Sequence, residues 1–175
     1  TNSFVGESAC YRAAKDIEDR IQLRVDQGNS HQEAELKGVE EYVIECSILK
    51  VAVSEDCQNT SDEGIQVLGG MGFSAETPME SAWRDARISR IYEGTNEINR
   101  MLCVGMLIKK AMKGHVDLLE PAMSVAEELM GIPSFDTPDF SAPLAQEKHI
   151  VKNLKKVFLM IAGSGVKKYG DQLEK

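Results

Sequence analysis

Residues 64–100, GIQVLGGMGFSAETPMESAWRDARISRIYEGTNEINR, decide the reading of this chain, because glycines, capping residues, paired charges and the carboxylate of Glu93 follow one another here in quick succession. Gly69, Gly70 and Gly72 interrupt the apolar run of Ile65, Val67, Leu68, Met71 and Phe73. Glycines so closely spaced allow positive φ and close backbone approach, which suits a helix end pressed against a ligand. Thr77, Pro78 and Glu80 then read as a capping box with proline at the first helical position. They predict a short helix that starts at Pro78, carries Trp83, Arg84, Asp85 and Arg87, and ends before Glu93. Gly94 and Thr95 form a second start signal, with Thr95 capping a helix through Ile98, Leu102 and Met106. Glu93 therefore sits at a break between two helices.

Taken alone, a carboxylate just before a helix N-terminus is explained by its attraction to the positive end of the helix dipole. The GGMG run is no dinucleotide fingerprint either, since it lacks the G-x-G-x-x-G spacing and follows no strand.

Upstream, Cys10, Ala14, Ile17, Ile21 and Val25 recur every three or four residues, which predicts an amphipathic helix from Phe4 to Gln27, stopped by Gly28 and Asn29. Ser30 and Glu33 form another capping box, and one long helix is expected from there to about Leu68. Its main stripe is Leu36, Val39, Val43, Cys46, Leu49, Val53 and Cys57, while Tyr42, Ile44, Ile48 and Val51 add a second apolar face. A helix apolar on two sides expects two neighbours, as in a four-helix bundle that also meets a partner subunit.

Downstream, a helix is expected from Asn96 to Lys113, ended by Gly114, and another from Val116 to Met130 with Pro121 near its start. Residues 131–143, GIPSFDTPDFSAP, read as a linker because of Pro133, Pro138 and Pro143. A last helix runs from Leu144 to Lys175, with Val151, Leu154, Phe158 and Ile161 on one face and Gly163 and Gly165 weakening its continuity. The fold class expected is thus all-α, a partial four-helix bundle over residues 1–114 followed by a helical segment over 115–175.

The net charge of −8 argues against nucleic-acid binding, because no broad basic surface is available to displace phosphate counterions. Charge is nevertheless uneven. From Leu144 onward seven lysines face three acidic residues, so this segment is basic while the remainder is strongly acidic. A basic amphipathic helix suits either an anionic membrane surface or simple solvation and pairing with the acidic bundle. No apolar run is long enough to span a membrane. Cys10, Cys46, Cys57 and Cys103 lack paired spacing and are expected as reduced, buried thiols. His31, His115 and His149 stand apart, so no metal site is expected. The start at Thr1 reads as an internal cut, and Lys175 falls inside an apparent helix.

The ordered string QVLGGMGF (66–73), RDARI (84–88) and IYEGTNEINR (91–100) resembles the C-terminal domain signature of the acyl-CoA dehydrogenases, flavoenzymes that oxidise fatty acyl-CoA thioesters. The likeness spans about Phe4 to Arg100, and the segment beyond resembles the extra C-terminal region of the very-long-chain branch. By that resemblance the first helix of the bundle and two upstream domains are absent, and the isolated chain is expected to be inactive.

The resemblance also implies roles. Glu93 would be the catalytic base that removes the α-proton of the acyl-CoA while a hydride leaves the β-carbon for FAD. Water excluded by the thioester would make the carboxylate a stronger base. Tyr92 and Gly94 would flank the thioester. Gln66, Val67, Leu68, Gly69 and Gly70 would contact FAD, usually that of a neighbouring subunit, and Thr95, Asn96 and Glu97 would sit beside their own flavin. The helix N-terminus at Thr95 is expected to offer unpaired N–H groups there.

Met101, Met106 and Met112 suit an acyl pocket or ordinary packing. Arg84, Asp85 and Arg87 are read as local ion pairs steadying the Glu93 loop rather than as a CoA grip, and Trp83 as a packing anchor. The family implies a homodimer that passes electrons to an electron-transfer flavoprotein, in the bacterial cytoplasm or, in a eukaryote, the mitochondrial matrix. Two rivals remain: a helical interaction or assembly module derived from the family, and an acyl-CoA oxidase with oxygen as acceptor.

Overall fold

Hydrophobic periodicity of 3.6 residues dominates the chain, and the computed structural model, in which residues 2–131 and 140–169 are described, holds helices and no strand among those residues. The order is α1 (Asn2–Asp26), α2 (His31–Glu41), α3 (Val43–Leu68), α4 (Gly70–Phe73), α5 (Pro78–Ile88), α6 (Asn96–Met112), α7 (Leu119–Met130) and α8 (Ala145–Tyr169). The chain divides into two compact units, Thr1–Met106 and Leu107–Lys175. Residues 132–139 of the expected linker and 170–175 of the expected last helix lie outside the described residues.

In the first unit α1 packs on α2 and α3, and α5 packs on α3. Gly28 takes φ 91° at the end of α1, and the Asn29 amide and side chain both donate to the Arg24 carbonyl, closing that helix end. The helices then approach closely at Gly38, where a Cβ would stand 2.6 Å from Ile21 Cγ1. Arg20 and Arg24 of α1 both reach Glu41, at 2.5 and 3.0 Å. Ser30 caps α2 by accepting from the Glu33 amide, as its sequence signal requires.

Three expectations for this unit need correction. The long helix is interrupted at Tyr42, which leaves helical angles (φ −101°, ψ 18°) without a glycine or proline to explain it. The buried face of α3 is not the apolar stripe but Ser47, Val51, Ser54 and Gln58, spaced four, three and four residues apart. These small and polar side chains let neighbouring elements come close, while Leu36, Val39 and Ile48 remain exposed. For the same reason Cys10, Cys46 and Cys57 are exposed and Cys103 is half-buried, although all four are free thiols. Their stripes face outward from the helices present here.

In the second unit α7 packs on α8 around the buried Val125. Asp117 accepts from the Glu120 amide at 3.3 Å, which starts α7 three residues later than its hydrophobic pattern suggests. Lys156 of α8 pairs with Glu128 of α7, and that ammonium holds the Glu128 carboxyl below its usual range. Gly163 does not break α8; it brings that helix against α7, with Ala122 Cβ 3.6 Å from where its own Cβ would lie.

Candidate active site

The turn that carries Glu93 is built from α5, α6 and the middle of α3. Pro78 starts α5 as expected, but Thr77 supplies no side-chain cap. Its hydroxyl donates instead to the Met71 and Ser74 carbonyls, at 2.7 and 3.2 Å, and Glu80 pairs with Arg84 at 2.8 Å. Proline at the first position leaves fewer N–H groups to cap, so the hydroxyl is free to tie the preceding turn. Trp83 Nε1 donates to Asp62 Oδ1 at 3.1 Å, anchoring α5 on α3. Arg84 is thus an ion-pair partner within its helix and Trp83 a packing anchor.

Beyond α5 the chain exposes Tyr92, Glu93 and Gly94 in succession before Thr95 caps α6, its hydroxyl accepting from the Ile98 amide at 3.3 Å. Glu93 has φ 55° and Gly94 φ 83°. Two consecutive left-handed residues turn the chain sharply, and the first of them carries a Cβ, which costs about 1–2 kcal/mol. Such a residue persists where its surroundings fix it.

Those surroundings are polar. The Gly94 carbonyl accepts from Lys50 Nζ at 2.8 Å and from Asn99 Nδ2 at 2.9 Å. Asn96, fully buried, accepts from Lys50 Nζ at 2.8 Å through Oδ1 and donates through Nδ2 to Ser54 Oγ at 3.0 Å and Glu55 Oε1 at 3.3 Å. Arg100 binds both Glu55 oxygens at 2.8 Å, and Arg90 stands 3.8 Å from that carboxylate. Burial alone would raise the Glu55 carboxyl, but hydrogen bonds from Arg100 and Asn96, with the charges of Arg100 and Arg90, outweigh it and hold the group below its usual range.

Two N–H groups in the first turn of α6 are already taken, which leaves the helix N-terminus less open than expected. The Asn96 amide donates to the Arg90 carbonyl at 3.1 Å, and the Ile98 amide is taken by Thr95. Its own backbone amide and the Thr95 hydroxyl, acting on the carboxylate, hold Glu97 below its usual range. Asn96 points its side chain into α3.

The other predicted group, Gln66, Val67, Leu68, Gly69 and Gly70, is exposed at the end of α3, with Val67 83% exposed. Gly69 takes φ 61°, and no atom lies within 4 Å of a Cβ position at Gly69 or Gly70, so bare backbone faces outward beside the exposed Gln66, Val67 and Leu68. Backbone without side chains lets another group approach it closely. Gly72, in α4, is different, being pressed against the end of α3, with Ile65 O and Cα at 2.8 and 2.9 Å from its Cβ position. The two groups are far apart. With Asn96 bound at Ser54 and the glycines beginning at residue 69, about 20 Å of α3 separates them.

Sequence reasoning missed Lys50, Ser54, Glu55 and Asn99. The available signal was the polar line Lys50, Ser54 and Gln58 at four-residue spacing within SILKVAV and its continuation, a face too polar to be a conventional apolar seam. No group of three or more His, Cys, Asp or Glu residues capable of holding a metal occurs among the described residues. No helix among them is long and apolar enough to cross a membrane.

Fold and turn together define a helical-bundle domain that presents one carboxylate from a rigidly anchored turn between two helices. The family model described as acyl-CoA dehydrogenase, C-terminal domain, matches residues 6–107. A "Probable acyl-CoA dehydrogenase" of Bacillus subtilis is 43% identical over 172 residues, which is 98% of this chain and 29% of that protein. The human mitochondrial short-chain specific acyl-CoA dehydrogenase is 46% identical over 68 residues, 39% of this chain and 16% of that one. A crystal structure of an acyl-CoA dehydrogenase complexed with FAD from Bacillus anthracis superimposes with a TM-score of 0.90 at 42% identity, covering 98% of this chain and 29% of its own. The chain belongs to the acyl-CoA dehydrogenase family. It spans 29% of the length of the B. subtilis relative.

Proposed function

We propose that the protein to which this chain contributes is an FAD-dependent acyl-CoA dehydrogenase, and that Glu93 removes the α-proton of a fatty acyl-CoA. The observation that carries this reading is the exposed Glu93 held at φ 55° between two exposed neighbours, with nearby buried polar groups fixing the turn from below. A carboxylate presented in this way can meet a substrate C–H once the thioester covers it. Tyr92 and Gly94 would line the thioester on either side and exclude water, which strengthens the base. FAD, when bound, supplies the acceptor for the hydride from the β-carbon.

Gln66 to Gly70 would hold a flavin on their bare backbone face, and Thr95, Asn96 and Glu97 would border one beside the Glu93 turn, Asn96 through its backbone. The family resemblance, by which the first group reaches the flavin of a neighbouring subunit, supports a dimer in which each chain contributes to its partner's site. Long-chain acyl-CoA is the proposed substrate class, on the ground of the α7–α8 segment that follows the domain, and an electron-transfer flavoprotein the proposed acceptor. A second reading concerns α8 alone. Exposed Ile150, Val151, Leu154, Phe158 and Ile161 alternate with lysines, which suits peripheral contact with an anionic membrane surface. The proposed compartment is the bacterial cytoplasm.

The test is anaerobic bleaching of the flavin in the whole protein by acyl-CoAs of graded chain length, beside Glu93→Gln. Bleaching should peak with long chains and slow by about 10²–10⁴-fold in the variant. A flavin-containing protein that no acyl-CoA bleaches would sink the dehydrogenase reading in favour of an assembly module.

A further inference from the structure

We propose that Lys50 is a positioning residue for Glu93, acting through the carbonyl of Gly94; the inference rests on the reading of Glu93 as the base. Glu93 and Gly94 are both left-handed and adjacent, so only the Gly94 torsions separate the Glu93 peptide from the one that follows Gly94, and fixing the latter limits how the turn can swing. That peptide is clamped. Its oxygen receives the Lys50 ammonium at 2.8 Å and the Asn99 amide at 2.9 Å, which occupies both lone pairs. Rotation of the peptide would break a charge-assisted hydrogen bond and a neutral one together.

The clamp is anchored at its other end. Lys50 projects from α3, a helix of 26 residues, and its Nζ is held a second time by Asn96 Oδ1 at 2.8 Å. Asn96 is itself fully buried and bonded to Ser54, one turn along α3 from Lys50. A lysine otherwise swings on a flexible four-carbon stem, and here two acceptors fix its head. Position along a rigid helix is thereby transmitted to the turn that presents the carboxylate. Lys50 itself bonds to no exposed atom of the Glu93 side chain, so its part is placement rather than proton transfer.

The experiment compares the limiting rate of anaerobic flavin bleaching by acyl-CoA in the whole protein and in Lys50→Met, Lys50→Gln, Glu93→Asp, Glu93→Gln and the double variant Lys50→Met with Glu93→Asp. Misplacement of a reacting group by about 1 Å costs on the order of 100-fold, so Lys50→Met should lower the limiting rate by about 10- to 100-fold. The acyl-CoA dissociation constant should stay within about threefold, because ground-state binding does not need the carboxylate's aim. In the double variant the two losses should fall well short of their product, since both act on one geometry.

A limiting rate for Lys50→Met within about threefold of the unmodified protein, with Glu93→Gln inactive, would overturn the positioning role alone. Losses that multiply fully in the double variant would also overturn it, because a lysine acting only on stability is independent of Glu93. Undiminished bleaching in Glu93→Gln would remove the base assignment and this inference with it. Should Lys50→Met fail to retain flavin, Lys50→Gln, which shortens the side chain and removes its charge, is held to the same rate and binding criteria.

Discussion

The Glu93 turn and the Gly69–Gly72 corner solve the same problem in opposite ways. Both redirect the chain between helices through positive φ, at Glu93 and Gly94 in one case and at Gly69 in the other. At the corner, missing side chains suffice: Gly69 adopts its angles without a Cβ penalty and Gly72 fits against the Ile65 backbone. At the turn, the leading residue must be a glutamate if it is to do chemistry, so its conformation is held by Lys50, Asn96, Asn99 and Ser54 instead. The difference teaches that a left-handed residue carrying a side chain is accompanied by buried polar groups, whereas a bend made of glycine needs none.

That contrast can be broken most directly at Asn96. Asn96→Ala should destabilise the whole protein by about 3 kcal/mol, since it leaves the Lys50 ammonium and the Ser54 hydroxyl short of a buried partner. Urea unfolding measures this, and a loss under about 1 kcal/mol would mean that the network is not what holds the turn.

At the corner, Gly72→Ala should cost about 2 kcal/mol, because its methyl group meets backbone that cannot swing aside. Gly70→Ala, with no atom within 4 Å of the new carbon, is the control. It should lie within about 0.5 kcal/mol of neutral, and equal costs at the two positions would remove the packing explanation. Thr95→Ala should cost about 1 kcal/mol through the lost cap of α6. Thermal melts of the variant resolve that difference.

The smallest effect is on acid stability. Glu55 has its carboxyl lowered in the folded state, so the unfolded chain takes up that proton more readily. Its contribution is complete above the ordinary carboxylate range and is lost as pH falls through that range towards the lowered native value. Unfolding midpoints measured from about pH 6 to pH 3 should therefore fall less steeply in Glu55→Gln. Gly72→Ala should leave the slope unchanged, because the corner does not rely on that carboxylate.

Much of the fold was legible because its signals are local. Gly28 and Gly114 end helices with φ 91° and 71°, Ser30 and Thr95 cap them, and Pro78 begins α5. The candidate base was legible too, through the spacing of QVLGGMGF, RDARI and IYEGTNEINR. The larger failure was long-range. The apolar stripe through Leu36, Val39 and Cys46 looked like a seam, yet the buried face of α3 is largely polar. A smaller one was local: Thr77 looked like a cap, yet its hydroxyl turns back six residues to Met71.

The sequence by itself determined where the helices begin and end, which carboxylate stands at the break between α5 and α6, and which family the string of motifs resembles. Propensity, capping and glycine geometry act over four or five residues, so neighbours in the chain are enough to read them. Only the tertiary structure decided what holds Glu93 in place. Lys50 and Gly94 are 44 residues apart and Ser54 and Asn96 are 42 apart. No local pattern pairs residues at such distances; they meet because α3 and the start of α6 are folded together, burying an amide that must find partners.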